Sequence, residues 1–148
     1  MAAEVSALGL DIGRKRIGIA GCDRTGLVAA GLMTLERQSF TQVVEVLAQL
    51  IEERRVEVLV VGLPLTMAGE EGFQAKQVRR LAHRLAQALQ RPVIYVDERL
   101  TSLEAEALIR DQGGSLRQDK GLVDRKAAAI ILQRWLDERR RTEQDGIF

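Results

Sequence analysis

The sequence predicts an α/β domain on a mixed five-stranded sheet, an antiparallel meander followed by parallel βαβ units, with helices on both faces. Three observations predict it. Three short apolar runs come first, parted by glycine-bearing turns, as in a meander. Segments with helical spacing of apolar residues then alternate with apolar runs, as in βαβ units. The 148 residues are 46% hydrophobic but only 3% aromatic, enough for one core made of Val, Ile, Leu and Ala.

Residues 8–11 read as the first strand and 16–20 as the second, after the turn Gly13-Arg14-Lys15. Gly26 precedes a third strand at 27–35. Residues 40–54 place Val43, Val44, Leu47, Leu50 and Ile51 at helical spacing. Residues 56–61 are almost unbroken in apolar character, which suits a strand covered on both faces and parallel to its neighbours. Residues 73–90 form a second helix with Val78, Leu81, Ala82, Leu85 and Leu89 on one face, and 93–96 the fifth strand. Thr101-Ser102-Leu103-Glu104 reads as a capping box opening a helix that ends near Gly113-Gly114. A last helix runs from about 124 to 139, with Ala127, Ala128, Ile131, Leu132 and Trp135 inward. Residues 1–148 thus read as a single domain, of which 139–148 are a flexible polar tail.

Charge is balanced, 22 basic against 21 acidic residues for a net +1, so its distribution matters more than its total. A single cysteine, Cys22, rules out an intrachain disulfide and fits a reducing, cytoplasmic setting. No apolar run approaches the roughly 20 residues of a membrane span and no signal-peptide pattern opens the chain, so no membrane association is expected.

Acidic residues stand where the first and fifth strands end, Asp11 in Asp11-Ile12-Gly13 and the pair Asp97-Glu98. A third, Asp124, precedes an alanine-rich helix. Each has a structural explanation: a turn aspartate, an ion pair with Arg99, a helix-capping acid. If strands one and five are parallel, however, their acids share one edge of the sheet, where α/β sheets place ligands. Adjacent residues on a strand face opposite ways, so only one of Asp97 and Glu98 turns to such a site. Converging carboxylates suit Mg²⁺ or Mn²⁺, and two ions roughly 4 Å apart promote phosphodiester hydrolysis. Cysteine and histidine are not needed, and His83 reads as a surface residue.

Basic residues lie close to these acids. Arg14, Lys15 and Arg16 follow Asp11, while Arg117, Lys120, Arg125 and Lys126 surround Asp124. Lys76, Arg80 and Arg84 recur every four residues in a stretch, 73–93, that holds no acid. A solvated face or a phosphate-contacting surface both explain that stripe. The segment from Gly62 to Gly72 lacks the Gly-Lys-Ser/Thr ending of a phosphate-binding loop, and is either a substrate-contacting loop or an ordinary connection.

Taken together, Leu10-Asp11-Ile12-Gly13-Arg14-Lys15-Arg16-Ile17-Gly18-Ile19-Ala20, Val60-Val61-Gly62-Leu63-Pro64, Asp97-Glu98-Arg99-Leu100-Thr101-Ser102 and Val123-Asp124 with Ala127-Ala128 and Ile131-Leu132-Gln133 carry a resemblance. In this order and spacing the chain resembles the YqgF family of pre-16S rRNA nucleases, related to Holliday junction resolvases. The resemblance implies an RNase H-like fold and a metal-dependent nuclease. By motif position Asp11, Glu98 and Asp124 would be the catalytic and metal-binding acids, with Glu98 preferred over Asp97. Arg14, Lys15, Arg16, Lys76, Arg80, Arg99 and Lys120 are expected on the substrate side. The expected partner is structured RNA, precursor rRNA first and branched DNA second, bound by a monomer or a homodimer. Cys22-Asp23, Thr66 and Lys126 depart from the family pattern and touch substrate contacts rather than acids. A non-catalytic nucleic-acid-binding module and an actin-like phosphotransferase are the other readings. The latter normally needs two such domains.

Overall fold

The computed structural model describes residues 4–98 and 120–145. Strands β1 (Ala7–Ile12), β2 (Arg16–Cys22) and β3 (Ala29–Glu36) form the expected meander. Helix α1 (Phe40–Arg54), β4 (Val58–Leu63), α2 (Phe73–Leu89), β5 (Val93–Asp97) and α3 (Lys120–Asp145) follow. The sheet order is β3-β2-β1-β4-β5, with β4 parallel to both β1 and β5. β1, β4 and β5 therefore end at one edge.

Local chemistry sets the helix ends. The Ser39 side chain accepts from the Gln42 N–H at 3.1 Å, and Gln42 Oε1 accepts from the Gln38 N–H at 3.0 Å, which fixes the start of α1. Arg55 adopts a left-handed φ of 53°, and its N–H closes the helix on the Ile51 carbonyl.

Strand alternation sorts the core into two layers. Leu8, Leu10, Ile17, Ile19, Leu59 and Val61 pack with Val43, Leu47, Val78 and Leu85 of α1 and α2. Each such fully buried aliphatic contributes about 1.5–3 kcal/mol. On the opposite face Ala7, Ala20, Val58 and Val60 meet Ala128, Ile131, Leu132 and Leu136 of α3. That face is lined with small residues, and α3 lies very near the backbone. A Cβ on Gly9 would stand 2.7 Å from the Ala128 oxygen and from the Leu132 Cβ. One on Gly18 would overlap the backbone oxygen of Asp124.

Three expectations shift. β4 begins at Val58 rather than 56, because the Val56 N–H is spent on the Ile51 carbonyl. The last helix is longer at both ends than expected, so residues to Asp145 that read as a tail are helical. Arg140, in that stretch, donates to the carbonyls of Gly26 and Leu27 at 3.1 and 3.2 Å, anchoring the helix on the β2–β3 turn. The helix expected from Thr101 lies outside the described residues. Among the described residues no helix is long and apolar enough to cross a membrane.

Gly18→Ala should loosen α3 from the sheet. Overpacking of this kind costs about 1–3 kcal/mol. A urea melt should show a lower midpoint with an unchanged slope, and an unaltered midpoint would show that the contact is slack.

Candidate active site

Alternation decides where each acid points. Leu8, Leu10 and Ile12 belong to the α1–α2 layer, so Asp11 lies on the α3 face. On β5, Tyr95 packs with the α1–α2 layer and Val96 with the α3 layer. The pattern carries Asp97 to the α1–α2 side and Glu98 to the α3 side. Gly62, which faces Ile131, leaves room there: a Cβ on it would come within 2.9 Å of Glu98 Oε2. The Glu98 N–H bonds to the Leu63 carbonyl at 3.2 Å, extending the β4–β5 ladder and fixing the residue's backbone.

Asp11 and Glu98 are thereby brought side by side at the C-terminal edge of the parallel strands, close enough to share a proton. Burial pushes Glu98 up to about 9, reinforced by the charge of Asp11 and its hydrogen bond and by Asp97, and opposed by Arg134. Burial also pushes Asp11 up to about 6; the hydrogen bond from Glu98 works against this and the charge of Asp124 adds to it. The pair thus holds a proton more tightly than a free carboxyl does.

Asp124 reaches the same corner from the first turns of α3. Gly18 pairs directly with Asp11 across β1 and β2, and the Asp124 backbone rests on it. Arg16 Nε donates to Asp124 Oδ2 at 2.7 Å, with the two side chains 33% and 19% exposed. Arg16, expected to face substrate, thus holds the third acid. Among the described residues no three acidic, imidazole or thiol groups close into a ready metal cage. The donors nonetheless fit a hard divalent cation. Asp11 and Glu98 are neighbouring oxygen donors, and a cation would offset the desolvation that burial imposes on their charged forms. Asp124 stands near enough for its charge to be felt at Asp11, while its own side chain is held by Arg16.

A cleft of about 670 Å³ opens beside Asp11 and Glu98, between the β1–β2 turn, the segment after β4 and α2. Arg14, Arg37, Arg80 and Arg84 line it. Lys15 is exposed on the turn, and Lys76 is exposed on α2 away from the cleft. A four-residue step advances a helix by about 40° beyond a full turn, so Lys76 and Arg84 part company over two steps. His83 is exposed, as expected. Arg99 and the Lys120 side chain lie outside the described residues, though Lys120 opens α3. Sequence reasoning missed Arg37. The meander register pairs Arg16 with Glu36, so the next residue falls beside the β1–β2 turn, where Arg37 donates to the Gly13 carbonyl at 2.7 Å.

An antiparallel meander continued by parallel strands, with acids at the ends of the first and fifth strands and at the start of the covering helix, defines the RNase H-like class. Solved structures agree on the fold. *Thermus thermophilus* RuvC in complex with Holliday junction substrate aligns at a TM-score of 0.57 with 15% identity, over 93% of this chain and 97% of that one. Fowlpox virus resolvase with junction DNA aligns at 0.56 with 12% identity, over 91% and 99%. Within that class the chain belongs to the RuvX family, described as Holliday junction resolvase, whose profile matches residues 5–138. Curated relatives named as candidate pre-16S rRNA nucleases are similar over nearly the whole chain. That of *Trichormus variabilis* is 56% identical over 99% of this chain and 97% of its own. That of *Crocosphaera subtropica* is 60% identical over 92% and 95%.

The acid pair carries a pH signature. A carboxyl whose folded pKa is raised keeps a proton that the unfolded chain gives up, so its stabilisation is present below the unfolded value and lost as pH rises through the folded one. For Glu98 that window runs from 4.5 to about 9. In metal-free buffer Glu98→Gln should melt above the wild type at pH 9, with the gap closing near pH 4.5. Calorimetry across that range checks it, and a gap independent of pH would sink it.

Proposed function

We propose that this chain is a divalent-metal-dependent nuclease acting on structured RNA in the cytoplasm, with precursor rRNA as substrate. The observation that carries this is the hydrogen-bonded pair of Asp11 and Glu98 at the mouth of a cleft lined by guanidinium groups. Membership of a family described as resolvases supports phosphodiester hydrolysis, and the names of the curated relatives support the RNA substrate. Branched DNA is the second reading, favoured by the family description itself.

In this proposal Asp11, Glu98 and Asp124 hold Mg²⁺ or Mn²⁺. Bound there, the ion supplies Lewis acidity and a water of lowered pKa. The protein does the rest. Glu98 would hold such an ion as a carboxylate, its proton passing to solvent. Were Asp124 to join the ion, Arg16 would have the substrate phosphate as an alternative partner. Arg14 and Arg80, neither of them paired with an acid among the described residues, hold the backbone on either side.

Two outcomes test this. Asp11→Asn should cut a precursor 16S rRNA fragment at least about 100-fold more slowly than wild type in Mg²⁺, with a native circular dichroism spectrum. Equal rates from both proteins would refute the assignment, and faster cutting of a four-way DNA junction than of the RNA would favour the second reading. Arg80→Ala should weaken RNA binding and reduce the slope of log affinity against log salt by about 1. An unchanged slope would take Arg80 out of the phosphate path.

A further inference from the structure

We propose that the cleft beside Asp11 and Glu98 receives one unpaired nucleotide of the strand being cut, so that the protein selects bulges, loops or branch points over regular duplex. This rests on the nuclease function proposed above and adds the feature it recognises.

Besides its arginines, the cleft carries groups that a phosphate track does not need. Gln74, Gln77, Val78, Leu81 and Arg84 stand on one face of α2, at steps of three and four residues. Each glutamine amide offers an acceptor as well as donors, and so can match the edge of a base. A phosphate offers acceptors only and would engage the amide donors alone. Across from α2 stand Pro64, Leu65 and Met67. Met67 is 71% exposed, a large apolar side chain at the rim of a site otherwise edged by charge. Its place suits the face of a heterocycle. The rim is held by its own bonds, from the Gly69 N–H to the Thr66 carbonyl at 2.8 Å and from the Thr66 N–H to the Glu70 carbonyl at 2.9 Å.

Size and charge point the same way. A volume of about 670 Å³ falls in the range of small-molecule sites and suits a nucleotide rather than a paired helix. Arg14 and Arg80 are without acidic partners among the described residues and are placed to meet the flanking phosphates. Arg84 stacks over the Phe40 ring at 4.0 Å, which fixes its guanidinium plane at the cleft wall. Asp11 and Glu98 border the cleft, so a nucleotide seated in it brings an adjoining phosphodiester to the acids.

The test uses the full-length protein in excess EDTA, so that binding is read without cleavage. Two RNA duplexes of one sequence are compared, one fully paired and one with a single bulged 2-aminopurine. Wild type should bind the bulged duplex about tenfold more tightly, and the 2-aminopurine fluorescence should change with saturation. In Gln74→Ala/Gln77→Ala the preference should fall close to one and the fluorescence change should vanish. Both positions are exposed on a helix, where alanine is favourable, so the fold should persist. Equal binding of both duplexes by wild type, or a preference that survives the double substitution, would overturn the inference. If wild type cuts precursor RNA in Mg²⁺ but shows no preference, the nucleotide pocket fails and the nuclease stands. If the preference holds and no metal yields cutting, the pocket stands and the nuclease fails.

Discussion

The close seat of α3 on the sheet is the constraint on which the site depends. Asp11, Gly18 and Thr34 form one row across β1, β2 and β3, all on the α3 face. The first turns of α3 are fastened to that row. Thr34 Oγ1 donates to the Gly121 carbonyl, Arg125 donates to Thr34 Oγ1 at 3.3 Å, and the Asp124 backbone rests on Gly18. A side chain at Gly18 would lift the helix, and with it the Asp124 carboxylate, away from Asp11. The third acid is thus placed by backbone contact rather than by the reach of a long side chain.

The two faces of the sheet divide the labour. The α1–α2 face buries leucine and isoleucine and supplies most of the hydrophobic stabilisation. The α3 face carries glycine and alanine, buries less, and holds a carboxyl pair that costs free energy to keep out of water. Such an arrangement persists only when the rest of the fold overdetermines it, and the large core on the opposite face does so. The Arg16–Asp124 pair limits the cost by offsetting the negative charge of Asp124 beside Asp11.

Much of this was legible in the sequence. The unbroken apolar run of β4 announced parallel neighbours, and parallel neighbours put Asp11 and Glu98 on one edge. Strand alternation required that one of Asp97 and Glu98 be excluded. Which one follows from Tyr95 packing with the α1–α2 layer, a tertiary fact. Gly9 and Gly18 could not be read, because a glycine under a helix looks like any strand glycine until the helix is placed. The helical stretch beyond Arg139 was hidden for a related reason. Its residues are polar, and what holds them is a carbonyl pair on the β2–β3 turn, more than a hundred positions away. The Lys76, Arg80 and Arg84 stripe was read as one line, whereas the helical twist separates its ends. Arg37 required the register of β2 on β3.

The acids and the cleft approach the same edge from opposite faces of the sheet. Asp11 and Glu98 turn toward α3, while the glutamines and arginines of α2 belong to the other layer. They meet only beyond the strand ends, where β1, β4 and β5 stop together. A chain laid across that edge can present a phosphate to the acids and its neighbouring base to α2 only if the base leaves the stack. A regular duplex keeps its bases inward and offers the edge nothing but backbone, and the Asp11 carboxylate repels that backbone wherever no cation intervenes. Topology therefore couples the two halves. The parallel strand ends that gather the acids also set them at one border of the cleft with α2 at another, and an unstacked nucleotide is the substrate feature that spans both.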